Sequence, residues 1–208
     1  MITVKKLEFE VKTIEEAKQL AVEAFRVNAE YLTFEVEEKK QLFGLKKSYH
    51  VVASLNVDVL DLGLNLLKSL FENMDVKAQI DADYDEATNQ ISYTIETDEN
   101  PVLIGKNGKT LENIQFYLRN VLNIYTEKYV MVIVDIGGYK AHRQKQLEVL
   151  ATKTAKEVIR TNIPVKLTPM NAFERRIIHT KLADWRDVVT ASEGEKPNRY
   201  LVIKPRRR

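Results

Sequence analysis

The chain has 208 residues, of which 44% are hydrophobic and 30% are charged, and its formal net charge is +2. This composition predicts a soluble protein of more than one small domain, and no apolar run reaches the roughly 18 residues of a membrane span, so we expect no membrane insertion. Without cysteine there are no disulfides or thiolate sites, and the histidines are scattered, so we expect no metal and no cofactor. The N-terminus lacks the apolar core of a secretory signal, which indicates a cytoplasmic protein.

The charge is divided unevenly along the chain. Residues 1–138 contain 15 Lys and Arg against 23 Asp and Glu, whereas residues 139–208 contain 17 against 7. The basic end, which closes on KPRRR, is typical of a protein that binds a polyanion, because each neutralised phosphate releases counterions. A solvated basic face without a ligand is the alternative.

The first 55 residues predict a small βαββ unit. Loose alternation at residues 3–11 indicates a strand, and Thr13-Ile14-Glu15-Glu16 supplies a capping box before a helix. Residues 32–36 and 48–55 have the alternation or β-branched content of strands, and a turn is expected between them at residues 41–44.

A second predicted domain covers residues 57–136. Apolar stripes at helical spacing predict two long helices, at residues 60–74 and 111–125. Alternating or continuous apolar segments predict strands at residues 76–84, 91–95 and 129–134, of which the first two form an antiparallel hairpin and the last is typical of a buried strand. The predicted order is helix, strand, strand, short helix, loop, helix, strand.

A third small α/β domain is predicted at residues 138–208, after the boundary Gly137-Gly138. An apolar stripe predicts a helix over residues 147–158, and Asn171 with Glu174 caps a second one. Short strands are expected at residues 164–167, 188–191 and 200–203. The predicted fold class is therefore α+β, with three small domains at residues 1–55, 57–136 and 138–208 joined by short connections.

The segment LIGKNGKT at residues 103–110 ends like a nucleotide-binding P-loop. A P-loop requires glycine five positions before its last glycine, which gives the backbone room to wrap a β-phosphate, and here that position is Leu103. The nearest glycine, Gly105, is two residues too close. A nucleotide hydrolase with a degenerate P-loop is therefore kept as an alternative function.

Read as Ile-Gly-x-x-Gly, the same loop suits a clamp on a sugar–phosphate backbone. Its glycines have no Cβ, so a strand could approach closely, and the following helix offers free N–H groups at its start. Lysine adds charge at the tip, asparagine adds a hydrogen-bonding group, and apolar neighbours would form a floor for bases. The predicted nucleic-acid-binding residues are Val102, Ile104, Gly105, Lys106, Asn107, Gly108, Lys109 and Leu111. A turn between two helices also needs glycine, which is the structural alternative.

The order helix, hairpin, Ile-Gly-x-x-Gly loop, helix and strand resembles the type II K-homology (KH) domain over residues 57–136. The resemblance implies that the loop clamps single-stranded RNA or DNA and performs no chemistry.

In the third domain, Arg175 and His179 are four residues apart and share one face of the capped helix. Their spacing in NAFERRIIHTKL resembles the signature of a small domain named after an arginine, three residues and a histidine. This resemblance to the Arg-x-x-x-His domain implies a surface for single-stranded nucleic acid. The adjacent Arg176 is expected to contact phosphate or to be solvated. A catalytic His179 is the alternative, but no partner acid or nucleophile is identifiable, and a structural hydrogen bond is a further one. We predict no catalytic residue.

The whole order of domains resembles the Jag family of bacterial RNA-binding proteins. The further matching segments are KTIEEA at residues 12–17, Phe43-Gly44 within LFGL, and GYKAHRQKQ at residues 138–146. The resemblance implies a cytoplasmic RNA chaperone or regulator that binds many transcripts and thereby influences the cell envelope, elongation and division. It also implies a heterodimer with a small single-KH-domain protein, or self-association.

The preferred hypothesis is a non-enzymatic regulator that grips single-stranded RNA with the loop and the basic third domain. The alternatives are the nucleotide hydrolase and a protein-interaction scaffold with incidental RNA contacts, which the acidic first two-thirds of the chain favours.

Overall fold

The computed structural model describes residues 2–40 and 47–206, apart from the side chains of Lys40 and Lys47. The predicted turn with Phe43-Gly44 and the last two arginines lie outside these residues. The predicted α+β class is confirmed, because helices alternate with three sheets of three strands each. The chain forms two compact units, one of Met1–Gly105 with Lys109–Gly137 and one of Lys106–Gly108 with Gly138–Arg208.

The N-terminal part of the first unit is a three-stranded antiparallel sheet covered by one helix. Its sheet has the order β1-β3-β2. As predicted, Thr13 caps the helix by accepting a hydrogen bond from Glu16 N at 3.2 Å, and the Glu16 carboxylate accepts one from Lys12 N. Its elements are β1 (Lys6–Val11), α1 (Ile14–Phe25), a 3-10 turn (Ala29–Tyr31), β2 (Leu32–Lys40) and β3 (Lys47–Leu55).

The remainder of the first unit has the order of elements that the apolar patterns predict. In its sheet, β4-β5-β6, the first pair is antiparallel and the second pair is parallel. The last strand is buried on one face only, since Val132 and Val134 are buried while Met131 is 49% exposed, because β6 is an edge strand. The elements are α2 (Val59–Asn73), β4 (Gln79–Asp85), β5 (Gln90–Glu96), α3 (Asn100–Ile104), α4 (Lys109–Tyr125) and β6 (Met131–Ile136).

Backbone hydrogen bonds join these two parts of the first unit. Lys5 N donates to Tyr125 O at 2.9 Å, and Glu127 N donates to Thr3 O at 3.0 Å. Thr126, between the two acceptor and donor residues, is only 3% exposed. The first two predicted domains therefore lie within one compact unit.

The second unit packs two helices on a three-stranded antiparallel sheet of order β7-β9-β8. Its first helix starts directly after Gly138, eight residues before the predicted start, because residues 139–146 are mostly polar and give no apolar stripe. In the described ranges, no helix has both the length and the apolar character of a membrane span. The elements are α5 (Tyr139–Thr161), β7 (Val165–Lys166), α6 (Ala172–Leu182), β8 (Val188–Glu193) and β9 (Tyr200–Pro205).

Candidate nucleic-acid interface

The loop between α3 and α4 contains three residues with positive φ. Gly105 has φ +69° and ψ −177°, a combination that is essentially restricted to glycine. Asn107, at φ 54° and ψ 33°, is in the left-handed region that asparagine tolerates, and Gly108 has φ +75°. The loop conformation therefore explains one glycine outright and makes asparagine suitable at its tip.

The protein itself fills the space that a Cβ would take at both glycines. At Gly105, a Cβ would lie 2.1 Å from Thr110 Oγ1. At Gly108 it would lie 2.6 Å from Cε1 of Tyr139, which belongs to the same unit. We expected the missing Cβ atoms to leave room for a sugar–phosphate backbone, and this reason was wrong. Any strand on the loop has to contact its exposed tip instead.

The predicted loop residues differ in their exposure. Lys106, Asn107 and Lys109 are exposed, and Val102 is 50% exposed. Ile104 is half-buried, whereas Leu111 is only 3% exposed and belongs to the interior. Three polar residues and one or two apolar side chains are thus accessible, while Leu111 supports the loop from within.

A P-loop geometry is absent from this part of the structure. Leu103, at the position where a P-loop needs glycine, is fully buried within α3. A P-loop also follows directly on a strand, whereas here α3 separates β5 from the loop. Lys109 pairs with Glu112 at 3.2 Å within the first turn of α4.

The three predicted residues of α6 lie on two different faces. His179 Nδ1 and Thr190 Oγ1 of β8 are hydrogen-bonded at 2.5 Å, while His179 stays exposed. Arg175, one turn earlier, donates from Nε to Asn171 O at 3.4 Å. Arg176 instead borders an open groove between α5 and α6. Sequence spacing grouped Arg175 with His179 correctly, but it had no means of finding Thr190, which is on a strand eleven residues away.

A buried ion pair positions α6, and sequence reasoning missed it. Glu174 is 5% exposed, and its Oε1 accepts a hydrogen bond from Arg143 Nε of α5 at 2.8 Å. Its Oε2 accepts from Asn171 N at 3.2 Å, and Glu174 N donates to Asn171 Oδ1 at 2.9 Å, which completes the predicted capping box. The cap was readable from spacing, whereas Arg143, 31 residues earlier, was not.

The same cluster includes the first residue of α5. Burial raises the pKa of Tyr139; Arg143 opposes this shift and Glu174 adds to it. Within the described part of the chain, no carboxylate lies within 4.0 Å of His179, and no three His, Asp or Glu side chains are grouped to hold a metal ion. What the geometry offers is an exposed cationic and hydrogen-bonding surface.

Comparison with known proteins gives consistent matches along the chain. Residues 145–205 match the family model of the Arg-x-x-x-His domain. The chain is 33% identical to RNA-binding protein KhpB of Clostridium symbiosum over 199 residues, which are 94% of this chain and 90% of that protein. It is 34% identical to RNA-binding protein KhpB of Lactiplantibacillus plantarum over 66% of this chain and 42% of that protein. With RNA-binding protein KhpB of Bacillus subtilis the identity is 34% over 64% of each chain. The chain thus spans most of the first relative and under half of the second.

Proposed function

Because the chain belongs to the KhpB, or Jag, family, we propose that it is a non-enzymatic protein that binds single-stranded RNA. The observation that carries the proposal is the similarity over 94% of the chain to a relative whose name states RNA binding. We further propose residues 57–136 as a type II KH domain, since α2-β4-β5-α3-α4-β6 has that order. Residues 138–208 are proposed as the Arg-x-x-x-His domain and residues 1–55 as a partner-docking domain.

The proposed mechanism holds the RNA backbone and leaves it intact. Lys106 attracts a phosphate at the loop tip, Asn107 donates or accepts a hydrogen bond, and the first turn of α4 supplies N–H groups without intrahelical partners. Val102 and Ile104 provide apolar contact for bases. Arg175 and His179 form a second contact surface, on which the ring of His179 is oriented by Thr190.

The family supports a further proposal about the cellular role. We expect a cytoplasmic regulator of many transcripts that influences the cell envelope, elongation and division. A small single-KH-domain protein is the proposed partner, and a second copy of this chain is the alternative.

The test replaces Lys106 and Asn107 together by aspartate. Like-charge repulsion should weaken the binding of a fluorescent single-stranded RNA at least about tenfold in an anisotropy titration. The matched control replaces Lys18 and Gln19 of α1 by aspartate, because both are exposed and the change in charge is identical. We expect the control to bind within about twofold of the wild type. An unchanged affinity of the loop variant refutes the role of the loop, and a wild-type chain that binds no RNA refutes the whole proposal.

Two rival functions have separate tests. A nucleotide hydrolase predicts turnover of ATP or GTP that disappears in Lys109→Ala, although the buried Leu103 and the helix before the loop argue against it. A protein scaffold predicts that crosslinking in cells recovers proteins and no RNA.

A further inference from the structure

A second cationic surface runs along the exposed side of α5. Lys145, Lys153 and Lys156 are all exposed. At 3.6 residues per turn, their side chains leave the helix within about 80° of one another. The steps of eight and three residues place them about 12 and 4.5 Å apart along the helix axis. The three lysines therefore form a row on a single face.

These lysines border an open groove of about 590 Å³ on the surface of the second unit. Its lining contains a fourth lysine, Lys181 of α6, and a single acidic residue, Glu148. Glu148 is already engaged, since it pairs with Lys181 at 3.6 Å and accepts a hydrogen bond from Gln144 Nε2 at 3.0 Å. We call this surface, formed by Lys145, Lys153, Lys156 and Lys181, the α5 lysine groove.

The charge of the row is not compensated within the protein. In residues 2–40 and 47–206, no carboxylate lies within 4.0 Å of the ammonium groups of Lys145, Lys153 or Lys156. Like charges on one helical face repel each other, which makes a bound polyanion the natural source of compensation. We propose that the α5 lysine groove binds the phosphates of an RNA strand, as a surface separate from the Arg175–His179 face.

Polyanion binding explains the groove better than attachment to an anionic membrane does. A helix that lies in a membrane interface needs an apolar face free to enter the lipid. The apolar face of α5 is already buried, with Leu147, Ala151 and Val158 in the core of the second unit. Beside the lysines the groove exposes one large apolar side chain, Val149, at 68%. Val149 alone is too small for insertion but suits contact with a base.

Arg176 extends the same surface. The groove that Arg176 borders shares Glu148 and Lys181 with the α5 lysine groove, so the two are continuous across α5 and α6. A strand bound to the lysines can therefore reach Arg176 within one unit. The inference rests on the proposed function, because it assigns a second contact surface to the same RNA.

The experiment compares two variants that each lose three lysines. Lys145, Lys153 and Lys156 are replaced by glutamine in one variant, and the exposed Lys18, Lys68 and Lys77 of the first unit are replaced by glutamine in the control. Glutamine is as good a helix former as lysine, and no replaced side chain is buried, so both variants should melt like the wild type. Affinity for a fluorescent single-stranded RNA of about 20 nucleotides is measured by anisotropy over a series of salt concentrations.

We expect the α5 variant to bind at least about tenfold more weakly at low salt. Its dependence of log affinity on log salt should become shallower by about 2, since each lost phosphate contact on a single strand removes about 0.7. The control should keep the wild-type slope. If the α5 variant keeps wild-type affinity and slope while the Lys106 and Asn107 variant is weakened, the inference is wrong and the proposed function stands. Loss of binding to phosphatidylserine vesicles with unchanged RNA binding would equally overturn it in favour of a membrane surface.

Discussion

Arg143 Nε of α5 lies 2.8 Å from Glu174 Oε1 of α6, and this ion pair is largely shielded from water. The side chains of Glu174 and Arg143 are 7% and 21% exposed. The other oxygen of Glu174 closes the capping box of the helix that carries Arg175 and His179. The orientation of that candidate binding surface therefore depends on a residue that does not itself face the ligand.

Replacing Glu174 by alanine should destabilise the second unit strongly. The change leaves Arg143 without its partner in a poorly solvated place and removes the cap, for which we expect a loss of about 3 kcal/mol in the free energy of unfolding. Urea denaturation followed by circular dichroism measures it. Glu195→Ala is the control, because Glu195 is exposed and should change stability by less than about 0.5 kcal/mol. Equal stability of the two variants would contradict the structural role of the pair.

Gly63 interrupts the apolar stripe of α2, and replacing it by alanine should destabilise the protein. Alanine gains about 1 kcal/mol in an exposed helix. Here its Cβ would lie 1.9 Å from Tyr93 Oη and 2.6 Å from Cζ, inside a packed core. Overpacking should therefore prevail, with a net loss of about 2 kcal/mol.

A double-mutant cycle identifies this contact as the cause. Tyr93→Phe removes the nearest atom, so the combined variant should lose less stability than the sum of the two single changes. Strict additivity would show that Tyr93 is not what Gly63 accommodates.

The stability of the first unit should fall at alkaline pH. Burial raises the pKa of Tyr93, and the carboxylates of Asp58 and Asp61 raise it further, while the hydroxyl donates to Leu60 O at 3.0 Å. Because the folded pKa exceeds the unfolded value of about 10, the contribution is complete below about pH 10 and is lost as the pH rises above it, by about 1.4 kcal/mol per pH unit. Urea unfolding between about pH 9 and pH 11 should show a smaller decline for Tyr93→Phe. Parallel declines in the two proteins would refute the assignment.

Gly105 and Asn107 should respond in opposite ways to substitution. Gly105→Ala forces a side chain into a glycine-only conformation and against Thr110, which should cost about 1–3 kcal/mol and weaken RNA binding. Asn107→Gly relieves a left-handed residue while making the unfolded chain more flexible, so its stability should stay within about 0.5 kcal/mol. Thermal melts and RNA titrations of both variants provide the measurement. A stable, tightly binding Gly105→Ala variant would mean that the loop conformation is not needed.

Much of the fold was predictable because its signals are local. The caps at Thr13 and Asn171 and the alternation of the hairpin depend on neighbours within four residues, and each occurs as predicted. The start of α5 was missed, since residues 139–146 are polar and their helix is stabilised by contacts that periodicity does not report, such as Arg143 with Glu174.

The candidate sites divide in the same way. The exposed tip of the loop and the shared face of Arg175 and His179 follow from glycine spacing and the helical repeat. The reason for Gly108 does not, because the ring that occupies its missing Cβ belongs to Tyr139, thirty-one residues later. The separation of Arg176 from His179 also depends on which element packs on each side of α6.

The amino-acid sequence by itself determined the class of the fold, the order of its elements and the family, because apolar periodicity, caps and glycine spacing act over a few residues. Only the tertiary structure decided which groups meet across those elements. It pairs Glu174 with Arg143, fills the glycine spaces with the protein's own side chains, and collects four lysines from α5 and α6 around one groove. Packing brings together residues far apart in the chain, and no local pattern encodes that distance.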